Sequence, residues 1–185
     1  NKIVIVGMGG SVLGAEAIYS FLTKKIKKNI IFINDLQADK LKEFKNRNNL
    51  KKILFIVISK SGNTIETISN FLALKIIKKR SRNIIIITDR KDSSLYALSK
   101  KMKLFFIAHK GYIGGRYSVL SEVGMVPAYL MGLNINNLRK NLTKHFSFKR
   151  KIFLKESSIK LSYLLKNGKF NNLILLNYVP QLNKF

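Results

Sequence analysis

Three short segments concentrate the residue types that hold or polarise a small anion. The first is Gly7-Met8-Gly9-Gly10-Ser11, between an apolar run and a helical one. Glycines there permit a tight turn and a close backbone approach, and the helix that follows offers free N–H groups and a positive dipole end. The spacing is not that of a dinucleotide loop, because Val12 stands where the third glycine would fall; Asp35 after the second strand keeps such a reading alive only weakly. A simple tight turn explains the same residues. The second segment is Ser59-Lys60-Ser61-Gly62-Asn63-Thr64-Ile65-Glu66-Thr67. Its hydroxyls and backbone N–H groups could bind a phosphate without a metal. It is not a Walker loop, since the lysine precedes the glycine and the outer glycine is missing. Asn63 and Glu66 also fit a helix capping box, which would account for those two residues but not for Ser59, Ser61 and Thr64. The third is Gly114-Gly115-Arg116-Tyr117-Ser118. A guanidinium flanked by glycines can present its fork of donors to an oxyanion, the alternative being an ordinary surface arginine.

The elements that would position these loops are readable from hydrophobic pattern. Continuous apolar runs at Lys2–Val6, Asn29–Asn34, Ile53–Ser59, Asn83–Thr88 and Leu104–Ala108 read as five strands covered on both faces. Helical spacing occupies Ser11–Lys25, residues 37–48, Thr64–Lys79 and Ser93–Lys101 between them. Strands alternating with helices at this spacing predict βαβ units and a doubly wound parallel sheet, an α/β fold. All three loops then follow the carboxyl ends of strands, where open α/β sheets place ligands. Beyond residue 110 the pattern changes: helices are predicted at Val119–Gly132, Asn136–His145 and Ser157–Lys166, and a last strand-like run at Leu173–Leu176.

These segments together resemble the phosphoglucose isomerase family of the sugar isomerase (SIS) domain superfamily. Gly7–Ser11 is similar to its first glycine–serine loop, Ser59–Thr67 to its phosphate loop, and Gly114–Ser118 running into Val119-Leu120-Ser121-Glu122-Val123-Gly124 to its GGR(F/Y)S signature. The match is close over residues 1–130 and loose beyond. It implies a flavodoxin-like SIS domain over residues 1–132, with 133–185 forming connecting helices and the beginning of a second SIS domain. It implies reversible conversion of glucose 6-phosphate to fructose 6-phosphate, in glycolysis and gluconeogenesis, with no cofactor and no metal. Carried over, Ser59, Ser61 and Thr64 would bind the phosphate with the backbone of Lys60, Gly10 and Ser11 would line the sugar, and Arg116 would stabilise the enediolate. The intact enzyme would be a cytoplasmic homodimer. The phosphate loop reads Ser-Gly-Asn-Thr rather than Thr-Phe-Thr-Thr, which also admits a bifunctional phosphoglucose/phosphomannose isomerase. The family's proton-shuttling glutamate, histidine and late lysine have no counterpart here: Tyr178-Val179-Pro180-Gln181-Leu182 resembles the lead-in to the glutamate, and His109 is a lone loop histidine. The chain therefore reads as an internal piece of a longer enzyme, inactive alone and a weak sugar-phosphate binder.

Composition bounds the alternatives. The 185 residues are 46% hydrophobic with 11 Gly and 2 Pro, enough for a real core and unlike a disordered chain. The absence of cysteine excludes disulfides, thiolate metal sites and a cysteine nucleophile, and two histidines leave little for a histidine metal site. No apolar run approaches the ~20 residues of a membrane span, and no signal segment opens the chain. Lys and Arg number 35 against 9 Asp and Glu, a net charge of +26. Such a balance raises nucleic acid as a partner. The cations, however, are spread over nearly every element without interleaved aromatics, and lysine dominates alongside Ile and Asn, as an A/T-rich coding bias would produce. A solvated basic surface with no specific nucleic-acid partner is the expectation. A non-catalytic SIS module sensing sugar phosphates is the remaining alternative, and it would have no need of Arg116.

Overall fold

The computed structural model describes residues 2–145, 147–168, 170, 172, 174 and 179. Chain contacts divide them into one unit within Asn1–Leu133 and a second within Asn134–Pro180.

In the first unit five strands, β1 (Lys2–Gly7), β2 (Asn29–Ile33), β3 (Ile53–Ile58), β4 (Ile84–Thr88) and β5 (Phe105–Ala108), form one sheet in the order β2-β1-β3-β4-β5. Every pairing is parallel, with Ile3 beside Ile30 and Leu54, and Ile56 beside Ile85. The expected doubly wound, flavodoxin-like α/β topology is therefore the one observed. The helices are α1 (Gly10–Leu22), α2 (Ala38–Arg47), α3 (Ile65–Ala73), α4 (Ser94–Met102) and α5 (Glu122–Leu130).

Alternation along each strand sends side chains to opposite faces. Val4, Val6, Phe55, Val57, Ile84 and Ile86 point to one core, which Leu41 of α2, Phe71 of α3 and Leu95 of α4 complete. The intervening Ile3, Ile5, Ile56 and Ile58 are equally buried, on the face that the alternation turns toward the paired helices α1 and α5. Burial on both faces is why the strands read as unbroken apolar runs.

Several boundaries differ from expectation, each for a local reason. Helix α3 stops at Ala73 rather than Lys79: Lys75 takes a left-handed conformation (φ 54°), and Ile76 and Ile77 turn back to pack on the core from a connection. The helical period survives in those residues because they still need the core, not because the helix continues. Helix α5 starts at Glu122 rather than Val119, since Ser121 caps it by accepting from the Val123 N–H at 3.3 Å. A Cβ on Gly124 would fall 1.9 Å from the Val119 carbonyl oxygen, so the turn before α5 lies directly on its first residues. In the second unit the stretch expected as one helix is split into α6 (Ile135–Arg139) and α7 (Leu142–His145), and α8 runs over Phe148–Lys166. The strand-like run at Leu173–Leu176 lies, apart from residue 174, outside the described residues. Among the described residues no helix is long and apolar enough to cross a membrane.

Candidate functional site

The parallel sheet delivers the three loops to one end. The β1–α1 loop turns at Gly9, whose φ of 52° and ψ of −129° suit glycine alone. Its neighbour Gly10 meets the third loop backbone to backbone: a Cβ there would lie 2.6 Å from the carbonyl carbon of Gly115 and 2.7 Å from the amide nitrogen of Arg116. Ser118, fully buried, locks the same junction. Its hydroxyl donates to the Gly10 carbonyl at 3.3 Å and lies against that of Gly115. Gly115-Arg116-Tyr117 form a single 3-10 turn, and Arg116 stands exposed on it.

The first loop also reaches the second. The Lys60 N–H donates to the Ser11 hydroxyl at 3.3 Å. Ser11 is itself buried, so this hydroxyl fixes the spacing between the β1 and β3 loops. Within the second loop Ser59 is fully buried. Its hydroxyl accepts from the Gly62 N–H at 3.2 Å and lies 3.0 Å from the Thr64 hydroxyl. Gly62 turns the loop with φ 68°, and a side chain there would strike Ser93 and Thr88. Ser61 is exposed, and its hydroxyl accepts from the Asn63 N–H at 3.3 Å.

The capping box that Asn63 and Glu66 would also fit does not form. Thr64 is the N-cap of α3 and makes no side-chain cap, while Asn63 accepts from the Ser94 N–H at 2.9 Å and so ties the loop to the start of α4. The reach to a second helix start competes for the asparagine oxygen and wins. The consequence is chemical: the first turn of α3 keeps its N–H groups without a side-chain acceptor, beside the hydroxyls of Ser61 and Thr64. An uncapped helix start with hydroxyls beside it suits a phosphate.

The structure thus brings Gly10, Ser11 and Lys60 together and joins Gly10 to the turn carrying Arg116. Ser59 and Ser11 lie beneath the surface as braces, leaving Ser61, Thr64 and Arg116 more open. One pair escaped sequence reasoning. His109 is buried at the end of β5, with its Nε2 3.2 Å from the Ile113 carbonyl oxygen and its Nδ1 3.4 Å from a carboxylate oxygen of Glu122. These two side chains close the base of the loop that carries Arg116. No pattern in the sequence marks them, because histidine and glutamate are thirteen residues apart and meet only when α5 folds back. Among the described residues, no group of three or more His, Asp or Glu side chains could hold a metal ion.

Comparison with known proteins follows the same loops. A family model described as phosphoglucose isomerase matches residues 1–155. The glucose-6-phosphate isomerase of Acholeplasma laidlawii is 34% identical across the whole of this chain, which covers 47% of that relative. Among solved structures, a hypothetical protein of Thermus thermophilus superposes with a TM-score of 0.70 at 26% identity, over 77% of this chain and 36% of that one. A glucose-6-phosphate isomerase from Chlamydia trachomatis gives 0.56 at 28% identity, over 69% and 26%. The chain spans about half the length, or less, of these relatives.

Proposed function

The chain belongs to the phosphoglucose isomerase family, and from that premise we propose that the protein carrying it interconverts glucose 6-phosphate and fructose 6-phosphate. The observation that carries the reading is the backbone contact of Gly10 with Gly115 and Arg116, which sets the turn bearing the exposed Arg116 against the glycine–serine loop while that loop is bonded to the Ser59–Thr64 loop. Ser61, Thr64 and the open N–H groups of α3 take the phosphate. Ser59 holds Gly62 and Thr64 from below, and Ser11 holds Lys60. Gly10 and Ser11 form the floor beneath the sugar. In the reaction a base breaks the C2–H bond, the electron pair moves into a C1–C2 enediolate, and the proton returns to C1. Arg116 stabilises the oxyanion as it develops, which is where fixed positive charge lowers a barrier most.

The proton carrier is assigned to residues outside this chain. Glu66 opens α3 and Glu122 faces His109, so neither is given that work. The first SIS domain is assigned to residues 1–132 and the start of a second to 133–185, a reading supported by the change of unit between Leu133 and Asn134. A cytoplasmic homodimer acting in glycolysis and gluconeogenesis completes the proposal.

Steady-state kinetics on the full-length protein test it. Arg116→Ala is expected to lower kcat by about 10²–10³-fold with little change in KM, as loss of one oxyanion donor does. Arg116→Lys restores little, because a point charge lacks the guanidinium fork. A rise in KM alone would remove Arg116 from the chemistry, and binding of sugar phosphate without turnover by the full-length protein would favour the sensing alternative. The 185 residues by themselves are expected to bind sugar phosphate weakly without turnover, and turnover that Arg116→Ala abolishes would overturn the placement of the base.

A further inference from the structure

A parallel sheet collects every helix-to-strand connection at its amino edge, opposite the loops described above. Four such connections, residues 23–28, 47–52, 74–83 and 100–104, carry fifteen Lys or Arg and no Asp or Glu. The carboxyl edge differs in kind. Asp35, Asp39, Glu66, Asp89, Asp92 and Glu122 all lie in its loops or in the first turns of the helices leaving it. Part of this polarity is ordinary compensation of helix dipoles, which favours acids at helix starts and bases in last turns. Compensation accounts for Lys100 and Lys101 in the last turn of α4. It does not account for Lys27 and Lys28 or for the Lys78–Arg82 run, which lie past the helix ends.

The connections before β4 and β5 build a groove at this edge. The Arg80 N–H donates to the Met102 carbonyl at 2.7 Å, joining the two connections. Arg80 and Lys103 both take left-handed backbone, with φ of 60° and 51°. The open groove has a volume of about 570 Å³ and is lined by Arg80, Ser81, Arg82, Lys103 and Phe105, among others. Phe105 is 62% exposed although it opens a strand. From Ile84 to Thr88 the sheet is roughly 13 Å long at about 3.3 Å per residue, so the groove and the sugar-phosphate loops cannot share one small ligand.

We propose that this groove binds single-stranded RNA without sequence preference. Two guanidiniums and an ammonium pair with successive phosphates, and the exposed Phe105 ring is a stacking platform for one base. Every base has a π-face, so such a platform is indifferent to sequence, and clustered cations track the backbone. The aromatic that the linear sequence failed to interleave with lysines is brought among them by the fold. The proposal is independent of the isomerase reading, since it uses none of the same residues.

Fluorescence anisotropy on the full-length protein tests it, using a labelled uridine 12-mer, an abasic phosphodiester of equal length, a duplex RNA and vesicles of anionic phospholipid. Phe105→Ala is expected to weaken the uridine oligomer about tenfold, the scale of one lost stacked base, and to leave the abasic chain within about twofold. Arg80→Gln with Arg82→Gln and Lys103→Asn is expected to weaken both and to lower the slope of log K against log salt by about 2, at ~0.7 per phosphate contact. Removing three cations elsewhere, as Lys40→Gln, Lys42→Gln and Lys91→Gln, is the control and is expected to change binding by less than about threefold. Equal losses in control and groove variants, no effect of Phe105→Ala, or binding of duplex or vesicles as tight as that of the uridine oligomer would each overturn the proposal.

Discussion

At the scale of single residues, the carboxyl end of the sheet depends on close contacts that join its loops to one another. Gly10 has no room for a side chain, so Gly10→Ala must push the Arg116 turn away from the first loop. Forcing a methyl into such a contact costs about 1–3 kcal/mol, readable by urea denaturation, and kcat/KM of the full-length protein should fall with it. Ser11→Ala leaves the Lys60 N–H without its acceptor. The expected loss is about 1 kcal/mol, with a larger effect on KM for the sugar phosphate than on kcat. For His109 and Glu122 a double-mutant cycle is the informative measurement: His109→Leu and Glu122→Gln should couple by about 0.5–3 kcal/mol, as contacting side chains do, and strict additivity would deny the contact. Legibility at this scale was uneven. Gly10, Ser61, Thr64 and Arg116 stood out because glycine, hydroxyl and guanidinium at a strand end have few other uses. The bracing roles of Ser11 and Ser59, the diversion of Asn63 to Ser94 and the His109–Glu122 pair depend on which loops become neighbours, and spacing along one chain does not encode that.

The elements were the most legible level. Five apolar runs became five strands because burial on both faces demands it, and the alternation of strands with helices gave the parallel order β2-β1-β3-β4-β5. Boundaries failed where tertiary packing overrode the helical period. The clearest case is Lys75, which ends α3 in left-handed backbone so that Ile76 and Ile77 can reach the core. Replacing it with the residue that tolerates this conformation is a direct check: Lys75→Gly should raise stability by up to about 1 kcal/mol, because an L side chain costs roughly 1–2 kcal/mol there and glycine returns part of that as lost chain entropy. A destabilised variant would mean that the lysine side chain contributes more than its backbone costs. Phe71, fully buried where α3 meets the sheet, gives the opposite sign. Phe71→Ala should cost about 3–5 kcal/mol, enough to lower the melting temperature sharply while leaving the loops chemically unchanged.

Across the whole molecule the +26 charge takes on a direction. From composition it was a uniform attribute that could draw in any phosphate. In the first unit it is concentrated away from the three glycine- and serine-bearing loops, whose edge holds most of the acids, so raising ionic strength should weaken the proposed RNA binding steeply and the proposed sugar-phosphate binding little. Isothermal titration of both ligands across a salt series reads the two slopes side by side. The junction of Ser118 with Gly10 bridges 108 positions of sequence. A chain leaving a ribosome completes β3 and the Ser59–Thr67 loop that follows it fifty-one residues before Ser118 is made. At about 5–20 residues per second that interval lasts roughly 3–10 s. For those seconds the nascent protein has the Ser59–Thr67 loop and no arginine beside it, so under the proposed function a growing chain acquires the means to hold a ligand well before it acquires the group that would act on it.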